Sequence, residues 1–271
     1  MRASAPDLKT LSDLSIFAVL DDASREELTA LTKVLDPEAD SPIEVISLVR
    51  GIGLASGNAA ANTFRGGQGI SYSEVLYDAA KTLEIEGLHR YWRHSTHYGH
   101  YKISELDQVR PSSPISVSLD DRVQIVYRYV TSLERAILAK LMLVAYENAT
   151  PEQRRLVDRR LAELAKTPEG KDLAGLKASA ALMVAGNLGG FATYTMMSTV
   201  LSAVSVGTLG LGAYTFASSA LSVFLGPVGW LGLATAAVYK LGSPSKHRVI
   251  RIAGTCALIA ERLRMERLGR T

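Results

Sequence analysis

The chain has 271 residues, of which 47% are apolar and 21% charged, with a net charge of +3. This suits one large or two small folded domains and excludes a disordered chain. A single cysteine, Cys256, excludes a disulfide framework and a cysteine-based metal site within one chain.

Helix starts are legible in chain order, because Ser or Thr followed three residues later by Glu or Gln satisfies two orphan amides reciprocally. Such boxes occur at Ser24 to Glu27, at Ser41 to Glu44 with Pro42 in the first helical position, at Ser71 to Glu74, and at Thr150 to Gln153 with Pro151 likewise placed. Thr167 before Pro168 and Ser243 before Pro244 mark two further starts. The spacing predicts helices over 8–20, 24–35, 42–55, 58–65, 72–85, 119–147, 151–166, 170–206, 211–241 and 244–267. Strand-like alternation is confined to Ile115, Val117 and Leu119, which follow the breaker run Arg110-Pro111-Ser112-Ser113-Pro114. That run is read as a linker between an N-terminal module, 1–110, and a C-terminal one, 119–271. In the long helix, Val123, Val126, Tyr127, Val130, Leu133, Ile137, Leu141 and Val144 form one apolar stripe. The fold class expected is all-α: a multi-helix bundle with a hydrophobic helical hairpin near the C-terminus.

That hairpin is the dominant feature. Residues 178–239 are 62 positions without Asp, Glu, Lys, Arg or His, whereas a bilayer span needs roughly 20 apolar residues. Two spans fit, with a turn at Gly207, Gly210 and Gly212. The segment carries nine Gly and thirteen Ser or Thr in place of the Leu and Ile that give the strongest insertion signal. Small residues four apart, such as Gly186 and Gly190, Ala203 and Gly207, and Ser222 and Gly226, let helix backbones approach closely or pair between copies. Trp230 sits in the second half. Both flanks are basic: 151–177 holds seven Lys or Arg against five acids, and 240–271 holds eight against two. The positive-inside bias then places both ends in the cytoplasm, as a re-entering hairpin on an anionic inner leaflet. Three states remain open on this reading: permanent membrane residence, a soluble bundle that buries the hairpin, and a soluble form that inserts conditionally. The first 20 residues, interrupted by Asp7, Lys9 and Asp13, lack a secretory apolar stretch, so a cytoplasmic and inner-membrane-associated protein is expected.

Four of the five histidines fall together, at His89, His94, His97 and His100, among Tyr91, Trp92, Tyr98 and Tyr101. Convergence of His94, His97 and His100 would suit a zinc ion, although Gly99 opposes the regular helix this needs. The same cluster would serve as an acid sensor releasing the hairpin, or as an aromatic loop lying against the helices. Arg65-Gly66-Gly67-Gln68-Gly69 lacks the Gly-Lys-Ser or Gly-Lys-Thr ending of a nucleotide loop and reads as a turn. No nucleophile elbow, zinc helix or paired-carboxylate arrangement stands out, and scattered acids on helices read as solvated faces. A non-enzymatic role without a cofactor is expected, and no nucleic-acid partner. The basic C-terminal helix, with Arg248, Arg251, Arg262, Arg264 and Arg267, suits an anionic leaflet or packing back on the bundle.

Two stretches, Gly57-Asn58 through Asn62, Arg65, Gly66 and Gly69 to Tyr72, Glu74 and Asp78, and later Gly226-Pro227-Val228-Gly229-Trp230 followed by Pro244, Arg248 and Val249, resemble the YaaW-like family of bacterial proteins. The opening module around Leu14, Phe17, Leu20 and Ser24 is similar too, while Ala59 to Ala61 and Ser245 to His247 depart from the family pattern. Some members are labelled as similar to ubiquinol-cytochrome c assembly chaperones. The resemblance implies a protein-binding role for Asn62, Arg65, Gly66, Gly69, Tyr72, Asp78 and Arg248. Two functions are carried forward: a membrane-inserting helical protein of toxin, defence or stress type, and a soluble helical adaptor that buries the hairpin.

Overall fold

A computed structural model of the chain describes residues 10–56, 69–88, 119–168, 170–188, 193, 196, 200 and 244–268. The described residues form eight α-helices and no strand: α1 (Leu11–Asp21), α2 (Arg25–Leu35), α3 (Val45–Ser56), α4 (Tyr72–Thr82), α5 (Leu119–Glu147), α6 (Pro151–Leu164), α7 (Ala178–Leu188) and α8 (Pro244–Leu268). The all-helical class is therefore as expected.

Three of the capping boxes form in full, at Ser24 with Glu27, Ser71 with Glu74 and Thr150 with Gln153. They are local devices, so local sequence reveals them. The box expected at Ser41 does not open a helix. The Ile43 amide instead donates to the Thr32 hydroxyl at 3.3 Å, tying residues 41–43 to α2 as a connector, and α3 begins at Val45. Thr167 caps a turn and no more, because Gly170 donates to its hydroxyl at 3.2 Å but a single 3-10 turn follows. Gly175, at φ 78°, ends that turn, and the helix expected from 170 starts at Ala178. Leu119, expected both to close a strand-like alternation and to open the long helix, is the first residue of α5. The expected helices 58–65 and 211–241 lie outside the described residues.

Helix α5 is the axis. It packs against α1, α4, α6, α7 and α8, while α8 in turn meets α1, α2, α3 and α4. Core residues from both sides of the 110–114 run form a single cluster. Of the expected stripe, Val126, Val130, Leu133, Ile137 and Leu141 are buried, and so are Leu138 and Met142 beyond it. Val123 and Tyr127 stand instead on an exposed side of the helix near its start, each 42% exposed. Peripheral α6 buries only a seam, Val157, Leu161 and Leu164.

Two helix beginnings interlock. The Asp13 carboxylate in the first turn of α1 accepts from the Tyr72 amide at 2.9 Å, and the Ser12 hydroxyl accepts from the Ser73 amide at 3.3 Å. Side chains of α1 thereby satisfy orphan donors at the start of α4. Burial raises the Asp13 pKa, against hydrogen bonds from Tyr72 and Thr10 that lower it.

The chain reaches α4 through a backbone contact that only glycine permits. Gly69 has φ 68°, and a Cβ built there would lie 2.5 Å from the Gly53 carbonyl carbon of α3. The Ile70 amide donates to the Gly53 carbonyl at 3.2 Å. Gly69→Ala combines left-handed strain with this overlap, so a loss of about 2–3 kcal/mol is expected. Urea unfolding checks it; a loss under half a kilocalorie would show that the contact yields freely.

Candidate functional site

The charged core lies where α4, α5 and α8 meet. Glu134 on α5 and Glu261 on α8 are 1% and 0% exposed, a burial carboxylates tolerate only with partners. Tyr72 on α4 donates its hydroxyl to Glu134 Oε1 at 2.8 Å, and Arg264 Nη2 donates to Glu134 Oε2. Through Nη1, Arg264 also donates to Glu261 Oε2 at 3.0 Å. Arg135 closes the set, donating to both oxygens of Glu261 at 3.3 and 3.4 Å. The Tyr127 ring lies 5.7 Å beneath the Arg264 guanidinium, which gives this half-exposed tyrosine its purpose. Two carboxylates thus face two guanidiniums.

Burial raises the Glu134 pKa, and the Arg264 charge beside it only partly reverses this. Burial alone would lower the Arg264 pKa, but Glu134 and its hydrogen bond outweigh that and hold it above the usual guanidinium value. The Tyr72 hydroxyl is pushed well up, first by burial and then by Glu134. Cys256 is buried nearby, and its thiol is likewise pushed up. A neutral, buried thiol is a poor nucleophile. These groups are tied to one another and cross-link three helices, which is the chemistry of a lock.

A second set of pairs runs along the α2 and α8 contact. Arg262 grips Glu27 at 2.6 Å through both Nε and Nη2 and reaches Glu266 at 2.5 Å, while Arg267 meets Asp22 at 2.6 Å. Arg248 donates to the Leu35 carbonyl at the end of α2. The two helices therefore run antiparallel. Three arginines of the basic C-terminal helix, Arg262, Arg264 and Arg267, are engaged by carboxylates of the same chain.

Expected site residues distribute as follows. Gly186 lies on α7, where a built Cβ would fall 2.3 Å from Ala139 Cβ and 2.5 Å from Ala139 Cα on α5. The close approach expected of a small-residue face is thus made within the chain. Ala181, Leu182 and Ala185 are buried beside it, and the Thr193 hydroxyl donates to the Ala185 carbonyl at 2.6 Å. Tyr72 is 1% exposed and faces the core, so its side chain offers no surface to a partner, whereas Asp78 on the same helix is exposed. Gly69 and Arg248 sit at the helix contacts described above. Asn62, Arg65, Gly66, Gly190, Gly207, Gly210, Gly212, Gly226, Trp230 and the histidines His94, His97 and His100 lie outside the described residues. Among the described residues no His, Cys, Asp and Glu group could hold a metal ion.

The acids of the lock escaped sequence reasoning, which assigned helical carboxylates to solvated faces. A usable signal exists: Glu134 directly follows Leu133 in a stretch where apolar residues occupy more than one face, so it could not reach water. Replacing Tyr72 by Phe removes one donor from a buried carboxylate, and a loss of about 1–3 kcal/mol is expected in denaturant unfolding. An unchanged midpoint would mean that water replaces the hydroxyl. No protein-family model, no curated protein and no solved structure matches the chain.

Proposed function

We propose that the protein is a non-enzymatic helical bundle that holds the uncharged segment 178–239 at its core and presents it to a membrane as a hairpin tethered at both ends. One observation carries this reading: the helix in which the segment begins and the helix that follows the segment both pack on α5. Helix α7, where the segment begins, packs on α5 through Gly186 and Ala139, and α8, which follows the segment, is fastened to α5 through Glu134, Arg264, Glu261 and Arg135. A segment fixed at both ends to one body crosses and returns; it cannot translocate one end. Among the described residues no helix is long and apolar enough to cross a membrane, and most of 178–239 lies outside them. The resemblance to the YaaW-like family is part of the same proposal.

Flotation of the full chain on anionic vesicles at pH 5 to 7, with dye release measured in parallel, tests it. Binding that survives an alkaline carbonate wash supports insertion. A monomer that neither floats nor releases dye at any of these pH values would sink it. A second reading is favoured by the burial of Leu182 and Ala185 against α5: a soluble adaptor or assembly chaperone in which the segment never leaves the core. That reading predicts detergent-free solubility together with protease resistance of 178–239 in the presence of vesicles.

A further inference from the structure

Arginines of α8 fall into two groups. Those near its C-terminus, Arg262, Arg264 and Arg267, each meet a carboxylate. Arg248 and Arg251, one turn apart nearer its start, meet none among the described residues. Among the described residues, the Nε of Arg248 and the Nε of Arg251 are both buried and without a hydrogen-bond partner. A guanidinium N–H shut away from water without an acceptor is costly, and here two occur side by side. Arg248 is held in place through Nη2, which lies on the same edge as Nε and donates to the carbonyl of Leu35 at the negative end of the α2 dipole. The acid that follows Leu35 in the chain, Asp36, accepts from the Glu38 amide at 3.2 Å and forms no ion pair with either arginine among the described residues.

We propose that Arg248 and Arg251 form an anion-binding site that takes a phosphate group. A planar guanidinium fork matches phosphate oxygens bidentately, and with Nη2 of Arg248 held by Leu35, the fork of Arg251 and the Nε of Arg248 one turn away present donors to one tetrahedral group. The missing acceptor is then supplied by the ligand, which also neutralises two like charges one turn apart on α8. Their mutual repulsion is visible in Arg251, whose pKa is lowered by burial first and by the Arg248 charge second. The proposal does not depend on membrane insertion, because a bundle that stays in water would keep the site. A phosphate group reaches it either free in solution or as the headgroup of an anionic lipid.

The experiment titrates the full chain with inorganic phosphate by calorimetry, at constant ionic strength set with chloride. In parallel it measures binding to phosphatidylcholine vesicles with and without phosphatidic acid. Arg248→Gln and Arg251→Gln are compared with Arg267→Gln, which removes the same charge from the exposed pair with Asp22. Binding of inorganic phosphate that falls about tenfold or more in R248Q and R251Q, but not in R267Q, supports a site for the free ion. The same loss seen only with phosphatidic acid vesicles supports a headgroup site. Arg251→Lys keeps the charge and loses the fork, and it guards against misfolding as an explanation: weakened binding with an unchanged melting curve supports the paired geometry. Wild type that binds neither probe, or variants that all bind alike, would overturn the proposal.

Discussion

Arg264→Met is expected to destabilise the protein by about 3–5 kcal/mol, the cost of leaving a buried charge without its partner. The variant strands Glu134 and removes one of the partners of Glu261, both of them 1% exposed or less. Equilibrium denaturation reads the loss. The double variant Arg264→Met, Glu134→Gln should recover a large part of it, because a neutral amide still accepts from Tyr72 and no longer demands a cation. Losses that simply add would show that the pair acts independently. The same core has a pH signature with a definite sign. Burial raises the Glu134 pKa in the folded state above its ordinary 4.5. The proton is therefore held more tightly folded than unfolded. That contribution is fully present below pH 4.5 and is lost as pH rises through the raised folded value. Asp13 is raised in the same direction, so wild type must be compared with Glu134→Gln to isolate the term. The stability of wild type relative to this variant should fall as pH rises above 4.5 and then level off. A difference that grows with pH would reverse the assignment.

The second large effect is expected at Gly186. A valine there would overlap Ala139 of α5, both at Cβ and at the backbone Cα 2.5 Å away. Helix α7 cannot keep its seat, and a loss of about 3 kcal/mol or more follows from overpacking against a backbone that cannot yield. Pairing the change with Ala139→Gly should rescue only part, since the Cα and amide nitrogen of residue 139 remain in the way. Under the tethered-hairpin reading, Gly186→Val also raises vesicle flotation, because loosening α7 lowers the cost of leaving the bundle. Reduced stability with unchanged flotation would favour the soluble adaptor. Limited proteolysis within 178–239 reports the loosening itself.

How much of this was legible follows from how far apart the interacting groups lie in the chain. Ser24, Ser71 and Thr150 announced their helices because their partners stand three residues away. Helix α5 was legible along its whole span, Leu119–Glu147, from an apolar repeat that continues without Pro or Gly. Thr10, which accepts from Asp13 at 3.1 Å, opens α1 and was within reach of the same reasoning. Ser41 misled for the opposite reason: its local signal was sound, but Thr32, a residue of the preceding helix, captured the Ile43 amide. Glu134 was harder to recognise as a core acid, since its cation stands 130 positions further on and only the apolar residues crowding more than one face around it mark the position. Periodicity assigns a residue to one side of a helix but says nothing about how many sides are covered. In the middle of α5 and along much of α8 the answer is nearly all of them, and the polar residues there had to find each other.

The clamps on Glu134 and Glu27 come from the last helix, and this imposes an order in time. A chain made from its N-terminus at roughly 5–20 residues per second completes 178–239 before Arg262 and Arg264 exist. For those seconds α5 carries a carboxylate with no cation, and the uncharged segment has no closed bundle to hide in. On the tethered-hairpin reading, whether it meets a membrane or its own core is then open to decision during synthesis, and translation speed across 240–268 becomes a variable of the fold. Rare codons placed there should shift nascent chains toward membranes, while the finished protein has the same sequence throughout.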